Sequence, residues 1–217
     1  MSFCYISRSI SFDDDQREEG EKERMDIILS PEKVDVQDCD VLVTGFFSDE
    51  RPLKGTSGWM DWRLNGMLSH FLMEKRLTGD WKETTLIPAQ GRILPRMILL
   101  IGLGNVKDYS YLRVREITLH LLETLKKLNS SSICFSLPYE EDYNVDCGKL
   151  AEVLIEGIAD WFDLKTFSSD EEWVNHFRFF FAEGEERFSE ILLGVQTAKL
   201  ILEERLKIRI FTPSEGV

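Results

Sequence analysis

Apolar residues along the chain recur at two periods, and their alternation outlines the fold. Continuous apolar runs predict strands at Met25–Leu29, Val41–Phe47, Thr84–Ala89, Met97–Ile101 and Ser132–Leu137, with a last aromatic strand at His176–Phe181. Helical spacing instead marks Trp59–Phe71, where Met60, Leu64, Met67, Leu68 and Phe71 share a face. Thr56 and Ser57 offer capping hydroxyls before it, and Asp61 suits a first-turn dipole. Further amphipathic helices fit Leu112–Leu128, Leu150–Phe162 and Glu186–Arg205. The last of these carries a stripe of Phe188, Ile191, Leu192, Val195, Ala198 and Leu202. Strands alternating with helices over short links predict an α/β fold of three layers: a mostly parallel mixed sheet with helices on both faces.

Residues 1–24 break this pattern. From Asp13 to Arg24 nearly every position is charged and no apolar period survives, so a charged N-terminal extension is expected ahead of one domain spanning 25–217. No apolar run approaches the roughly 20 residues of a membrane helix, and no export signal precedes the domain. Neither a membrane nor a secreted setting is therefore expected, and a cytoplasmic one is. Cys4, Cys39, Cys134 and Cys147 are scattered without a C-x-x-C pair, which in a reducing compartment suits structural thiols.

Charge refines this. The formal net charge of -13 conceals a surplus of +6 between Arg51 and Lys127 and of -9 between Glu140 and Glu172, so the molecule is electrically polarised along its sequence. An acidic total opposes the phosphate-driven attraction of nucleic acid, so a nucleic-acid partner is not expected.

Three stretches together resemble the N-terminal domain of the leucine aminopeptidases, whose fold is similar to the macro domain. The first is Asp40-Val41-Leu42-Val43-Thr44-Gly45-Phe46-Phe47-Ser48-Asp49-Glu50-Arg51-Pro52-Leu53-Lys54-Gly55. The second begins at Asp61-Trp62-Arg63-Leu64-Asn65-Gly66, and the third runs from Thr78-Gly79-Asp80-Trp81 to Leu100-Ile101-Gly102-Leu103-Gly104. The resemblance implies a macro-domain-like sheet over about residues 25–205. It also implies a non-catalytic chain, because that family keeps its zinc-binding acids, lysine and arginine in a separate C-terminal domain whose motifs match nothing here. The segment Gly194-Val195-Gln196-Thr197-Ala198-Lys199 is similar to the helix that joins the two domains in the full enzymes.

Candidate chemistry is correspondingly sparse: no catalytic residue, no metal ligand and no cofactor is expected. Glu116, His120 and Glu123 share one helix face at i, i+4 and i+7, which fits a solvated face better than a metal site. Gly55-Thr56-Ser57-Gly58-Trp59 has Trp59 where a nucleophile elbow needs glycine. Thr44 and Gly45 at one strand end, with Gly102, Gly104 and Asn105 at another, would let a phosphate or ribose approach the backbone; a plain strand-to-loop turn competes with that reading. Leu193, Leu200 and Ile201 lie off the stripe of the last helix and mark a contact surface. Two functions from different classes follow. One is an interaction, scaffold or regulatory subunit that pairs with itself or with a catalytic aminopeptidase subunit. The other is a small-molecule module for ADP-ribose or a related nucleotide.

Overall fold

A computed structural model describes residues 24–165 and 177–212. The chain order is β1 (Arg24–Leu29), β2 (Val41–Phe46), α1 (Gly55–Arg63), α2 (Met67–Met73), β3 (Thr84–Pro88), β4 (Met97–Gly102) and α3 (Tyr111–Lys127). It continues through β5 (Ser132–Ser136), α4 (Cys147–Lys165), β6 (Arg178–Phe181), α5 (Glu185–Ile201) and β7 (Lys207–Phe211). The seven strands form one sheet in the order β3-β4-β2-β5-β6-β1-β7, parallel throughout except for the antiparallel β3–β4 pair.

The central strands are buried on both faces, as their continuous apolar runs demand: every residue of β2 and β5 is buried. Val41, Val43, Leu99, Ile101, Ile133 and Phe135 face α3, α4 and α5 in the larger core. Leu42, Phe46, Ile98, Leu100 and Cys134 face α1 and α2 in the smaller one. Helices thus cover both faces, and the predicted three-layer α/β architecture holds.

Four local expectations are corrected. The helix expected over Trp59–Phe71 is two helices, because Asn65 (φ 57°) and Gly66 (φ 77°) turn the chain left-handed while Leu64 and Leu68 stay buried on either side of the break. The apolar period runs through that break, so it carries no mark of it. Asp61 serves the second helix rather than the first: its carboxylate accepts from the Ser69 amide at 3.0 Å and from the Ser69 hydroxyl. The expected caps of α1 are likewise used elsewhere, since the Ser57 hydroxyl donates to Lys54 O at 3.0 Å and Thr56 pairs with Ser136. Finally, the last helix ends at Ile201, and Lys207–Phe211 forms an edge strand beside β1 that the sequence reading did not anticipate. His176, the expected start of the aromatic strand, lies outside the described residues, as does the extension before Arg24.

Candidate functional site

The chain leaves β2 toward β4 on one side and returns to β5 on the other, so the strand order reverses about β2 and the crevice that α/β sheets use lies at its carboxyl end. Thr44, Gly45, Gly102, Gly104 and Asn105 all reach this end. Thr44 sits opposite Ser136 on β5, and Phe46 opposite Gly102 on β4.

On the β4 side the space is filled by the chain itself. The segment Thr78–Lys82 crosses the strand ends, and a Cβ on Gly102 would stand 2.0 Å from Asp80 O. The Gly102 amide donates to Glu83 O at 2.7 Å and the Gly104 amide to Gly79 O at 2.9 Å. Glu83 pins this segment by accepting from the amides of Thr78 and Gly79 at 2.9 and 2.6 Å. A Cβ on Gly45 would meet the Leu103 side chain at 2.5 Å. Asn105 is exposed and its carbonyl accepts from the Asp108 amide. These glycines therefore let one loop pack on another, and the two amides a phosphate would need are already bonded.

The β5–β6 side is different. Thr44 Oγ1 is buried with no hydrogen-bond partner, beside Ser136, whose hydroxyl lies 2.6 Å from Thr56 Oγ1 on the first turn of α1. No side chain caps α1 at Lys54, and Gly55 opens onto free space. Glu183, just past β6, accepts a hydrogen bond from the Tyr139 hydroxyl at 3.2 Å, and the Ser136 hydroxyl also favours its charged form. Burial raises its pKa from an ordinary 4.5 to about 7, and the two hydroxyls only partly offset that. The group lines a small pocket together with Tyr139, Cys147, Leu150 and Ile191. Hydroxyls, one readily protonated carboxyl and an uncapped helix start can exchange hydrogen bonds with a polar ligand. The acids around them oppose an anion: Lys54, at the start of α1, is paired with Glu50 at 3.1 Å and Asp142 at 3.7 Å.

Of the groups gathered here, the sequence singled out Thr44 and not Ser136, Tyr139 or Glu183. An acid directly after the aromatic run Arg178–Phe181 and Ala182 was the available signal. Glu116, His120 and Glu123 line one open pocket with Lys82 and Trp161, but His120 and Glu123 are already engaged there. His120 bonds Thr84 Oγ1 at 2.9 Å, with its pKa lowered by burial and by Lys82, while Glu123 accepts from Trp161 Nε1 at 2.7 Å. Among the described residues no three His, Cys, Asp or Glu side chains form a metal-holding group. Cys39, Cys134 and Cys147 are free and buried. Leu193, Leu200 and Ile201 stand 66%, 75% and 57% exposed on the outer side of α5.

The profile of the cytosol aminopeptidase family, N-terminal domain, matches residues 43–161. That is over half of the chain. The protein belongs to the cytosol aminopeptidase family. The match falls on its N-terminal domain and takes in β2 through most of α4, the elements that build both sides of the crevice. The probable cytosol aminopeptidase of Sulfurihydrogenibium sp. (strain YO3AOP1) is 24% identical over 150 residues, 68% of this chain but 29% of that protein. That of Cyanothece sp. (strain PCC 7425 / ATCC 29141) is 26% identical over 119 residues, 55% of this chain and 24% of the relative. The chain thus spans about a quarter of the length of these curated relatives. Among solved structures, a tomato leucine aminopeptidase mutant superposes with a TM-score of 0.59 at 16% identity, covering 85% of this chain and 38% of that one. A Trypanosoma brucei macrodomain in complex with ADP gives 0.58 at 12% identity, with 80% and 69% covered. The fold of this aminopeptidase-family domain is therefore macrodomain-like. Among the described residues no helix is long and apolar enough to cross a membrane.

Proposed function

We propose that this aminopeptidase-family domain works by contact, as a non-catalytic interaction or regulatory subunit in the cytoplasm, with α5 as its contact surface. The observation that carries this reading is the double-sided character of α5. Ile191, Val195 and Ala198 bury one side in the core, while Leu193, Leu200 and Ile201 leave a second apolar strip in solvent. A helix packed on one side needs only one strip, and an exposed second strip marks a contact. Light scattering on a sizing column, with the protein alone and mixed with a purified cytosol aminopeptidase, tests it. The expected result is a mass above the monomer that Leu193→Glu with Leu200→Glu lowers, with the far-UV circular dichroism unchanged. Background turnover of leucine p-nitroanilide in added zinc, manganese or cobalt belongs to the same reading. A protein that stays monomeric at high concentration and ignores the enzyme, or one with metal-dependent turnover, ends it.

A second reading, a nucleotide-binding module, draws on Thr44 Oγ1, buried and unpartnered beside the uncapped start of α1, and on the ADP named with the T. brucei macrodomain. The loop folded over Gly102 and Gly104 weighs against it. Calorimetric titration with ADP-ribose decides: no heat of binding removes this reading.

A further inference from the structure

An open pocket of about 440 Å³, a volume in the range of small-molecule sites, lies between α3, α4 and the turn that leads into β3. Glu116, Leu119, His120 and Glu123 line it from successive turns of one face of α3, Trp161 and Leu164 from α4, and Lys82 from the turn. Hydrogen bonds hold this frame. The Lys82 amide donates to Gly102 O at 2.9 Å, and the Thr84 hydroxyl donates to Lys82 O at 3.0 Å while meeting His120 Nε2 at 2.9 Å. Trp161 Nε1 donates to Glu123 at 2.7 Å across the two helices. The walls are therefore preformed, and part of them is apolar and wet: Leu164 is 69% exposed and Leu119 is half-buried.

With His120 and Glu123 engaged in the frame, Lys82 and Glu116 are the groups left to a ligand, and both are exposed. Among the described residues no carboxylate pairs with Lys82, whose ammonium stands 5.7 Å from the Trp81 ring. Glu116 meets Arg113 at 4.0 Å, the far limit of an ion pair, while the Arg113 guanidinium lies over the Trp81 ring at 4.4 Å. His120 adds no charge near neutral pH, because burial, Lys82 and Lys127 lower its pKa from 6.5. A lone anion would face Glu116 and Glu123 as well as Lys82. A lone cation would face Lys82 and Arg113 as well as the acids. An uncharged apolar molecule would strip water from Lys82 and Glu116 and return no hydrogen bond. A compact molecule with both charges and an apolar body meets all three demands.

The spacing fixes how compact. Thr84 bridges Lys82 and His120, so Lys82 sits level with His120, four residues and about 6 Å of helix axis from Glu116. An α-amino acid carries its two charges on one carbon, and a charge-assisted hydrogen bond of about 2.8 Å at each end lets it span that rise. We infer that this pocket binds a free α-amino acid with an apolar side chain. Lys82 receives the carboxylate, Glu116 the ammonium, and Leu119, Trp161 and Leu164 the side chain. This site is separate from α5 and does not depend on α5 being a contact surface.

Calorimetric titration of the full chain with L-phenylalanine, N-acetyl-L-phenylalanine, L-phenylalaninamide and glycine tests it, since each of the last three lacks one of the recognised features. L-Phenylalanine is expected to saturate one site in the millimolar range, and the N-acetyl and amide forms to bind about fivefold more weakly, the most that a solvent-exposed ion pair contributes. Glycine, without an apolar side chain, is expected to give no saturable heat. Lys82→Met should erase the preference for phenylalanine over its amide and keep the preference over the N-acetyl form; Glu116→Gln should do the reverse. Both positions are exposed, so an unchanged melting temperature is expected for each variant. Absence of saturable heat with L-phenylalanine overturns the inference, as do equal affinities for the three phenylalanine forms. Binding that neither variant alters would place the ligand elsewhere and overturn it too. The α5 reading stands or falls separately, on the oligomeric mass.

Discussion

Glu183 is the residue at which local chemistry departs furthest from the ordinary. Folding takes its carboxyl from 4.5 to about 7, so between these values the folded chain holds a proton that the unfolded chain has released. Its contribution is therefore fully present below about pH 4.5 and is lost as pH rises through about 7. Glu183→Gln mimics the protonated side chain at every pH. Melting curves should show the variant more stable than wild type by roughly 1–3 kcal/mol at pH 8 and nearly equal to it at pH 4.5. An equal difference at both pH values would mean that the carboxyl titrates normally. Little of this was legible in the sequence. Glu183 follows an aromatic run that was predicted as a strand, but the hydroxyls that act on it belong to Tyr139 and Ser136, more than forty positions away, and their approach is a product of the β5–β6 pairing.

Among elements, the pair α4 and α5 depends on two glycines that the apolar period ignores. A Cβ at Gly194 would lie 2.0 Å from Gly148 O, and one at Gly148 would lie 2.5 Å from Glu190 O, so the two helices approach backbone to backbone. Backbone cannot yield as a flexible side chain does. Gly194→Ala should thus separate the helices at a cost of about 1–3 kcal/mol, lowering the melting temperature by roughly 3–10 °C. Leu193→Ala, one residue away on the exposed side, should change it little. Comparable losses for both would show that helix propensity, not close approach, sets the response. The element scale is also where sequence reading was strongest and where its limits are clearest. Met97–Ile101 is apolar at every position and forms a central strand. The break at Asn65–Gly66 was hidden because Leu64 and Leu68 keep their helical spacing across it, and burial on both sides, not local propensity, holds the second helix in place. The edge strand Lys207–Phe211 alternates exposed and buried at its start, a two-residue period too short to stand out after a long helix.

Over the whole molecule, the sheet places the first and last described strands side by side. β1 and β7 run parallel, from Arg24 opposite Lys207 to Ile28 opposite Phe211, and Arg209 grips the carboxylate of Asp26 across the pair. Because the strands are parallel, the chain enters β1 at one end of the ladder and leaves β7 at the other. A pull applied ahead of Arg24 and beyond Phe211 therefore slides the strands past each other and strains the evenly spaced parallel hydrogen bonds together. Antiparallel strands, with the entry of one and the exit of the other at the same end of the ladder, would instead peel apart one bond at a time. Stretched between these points in single-molecule force spectroscopy, the domain should resist to one sharp rupture peak, and Asp26→Ala should lower that peak by removing the bridge that shares the load. A gradual, low-force extension would mean that the ladder unzips, and a peak unmoved in Asp26→Ala would place the resistance elsewhere in the sheet. A domain that equilibrium methods describe only by its heat and denaturant limits thus has a built-in direction of mechanical strength, fixed by which end of β1 the chain enters.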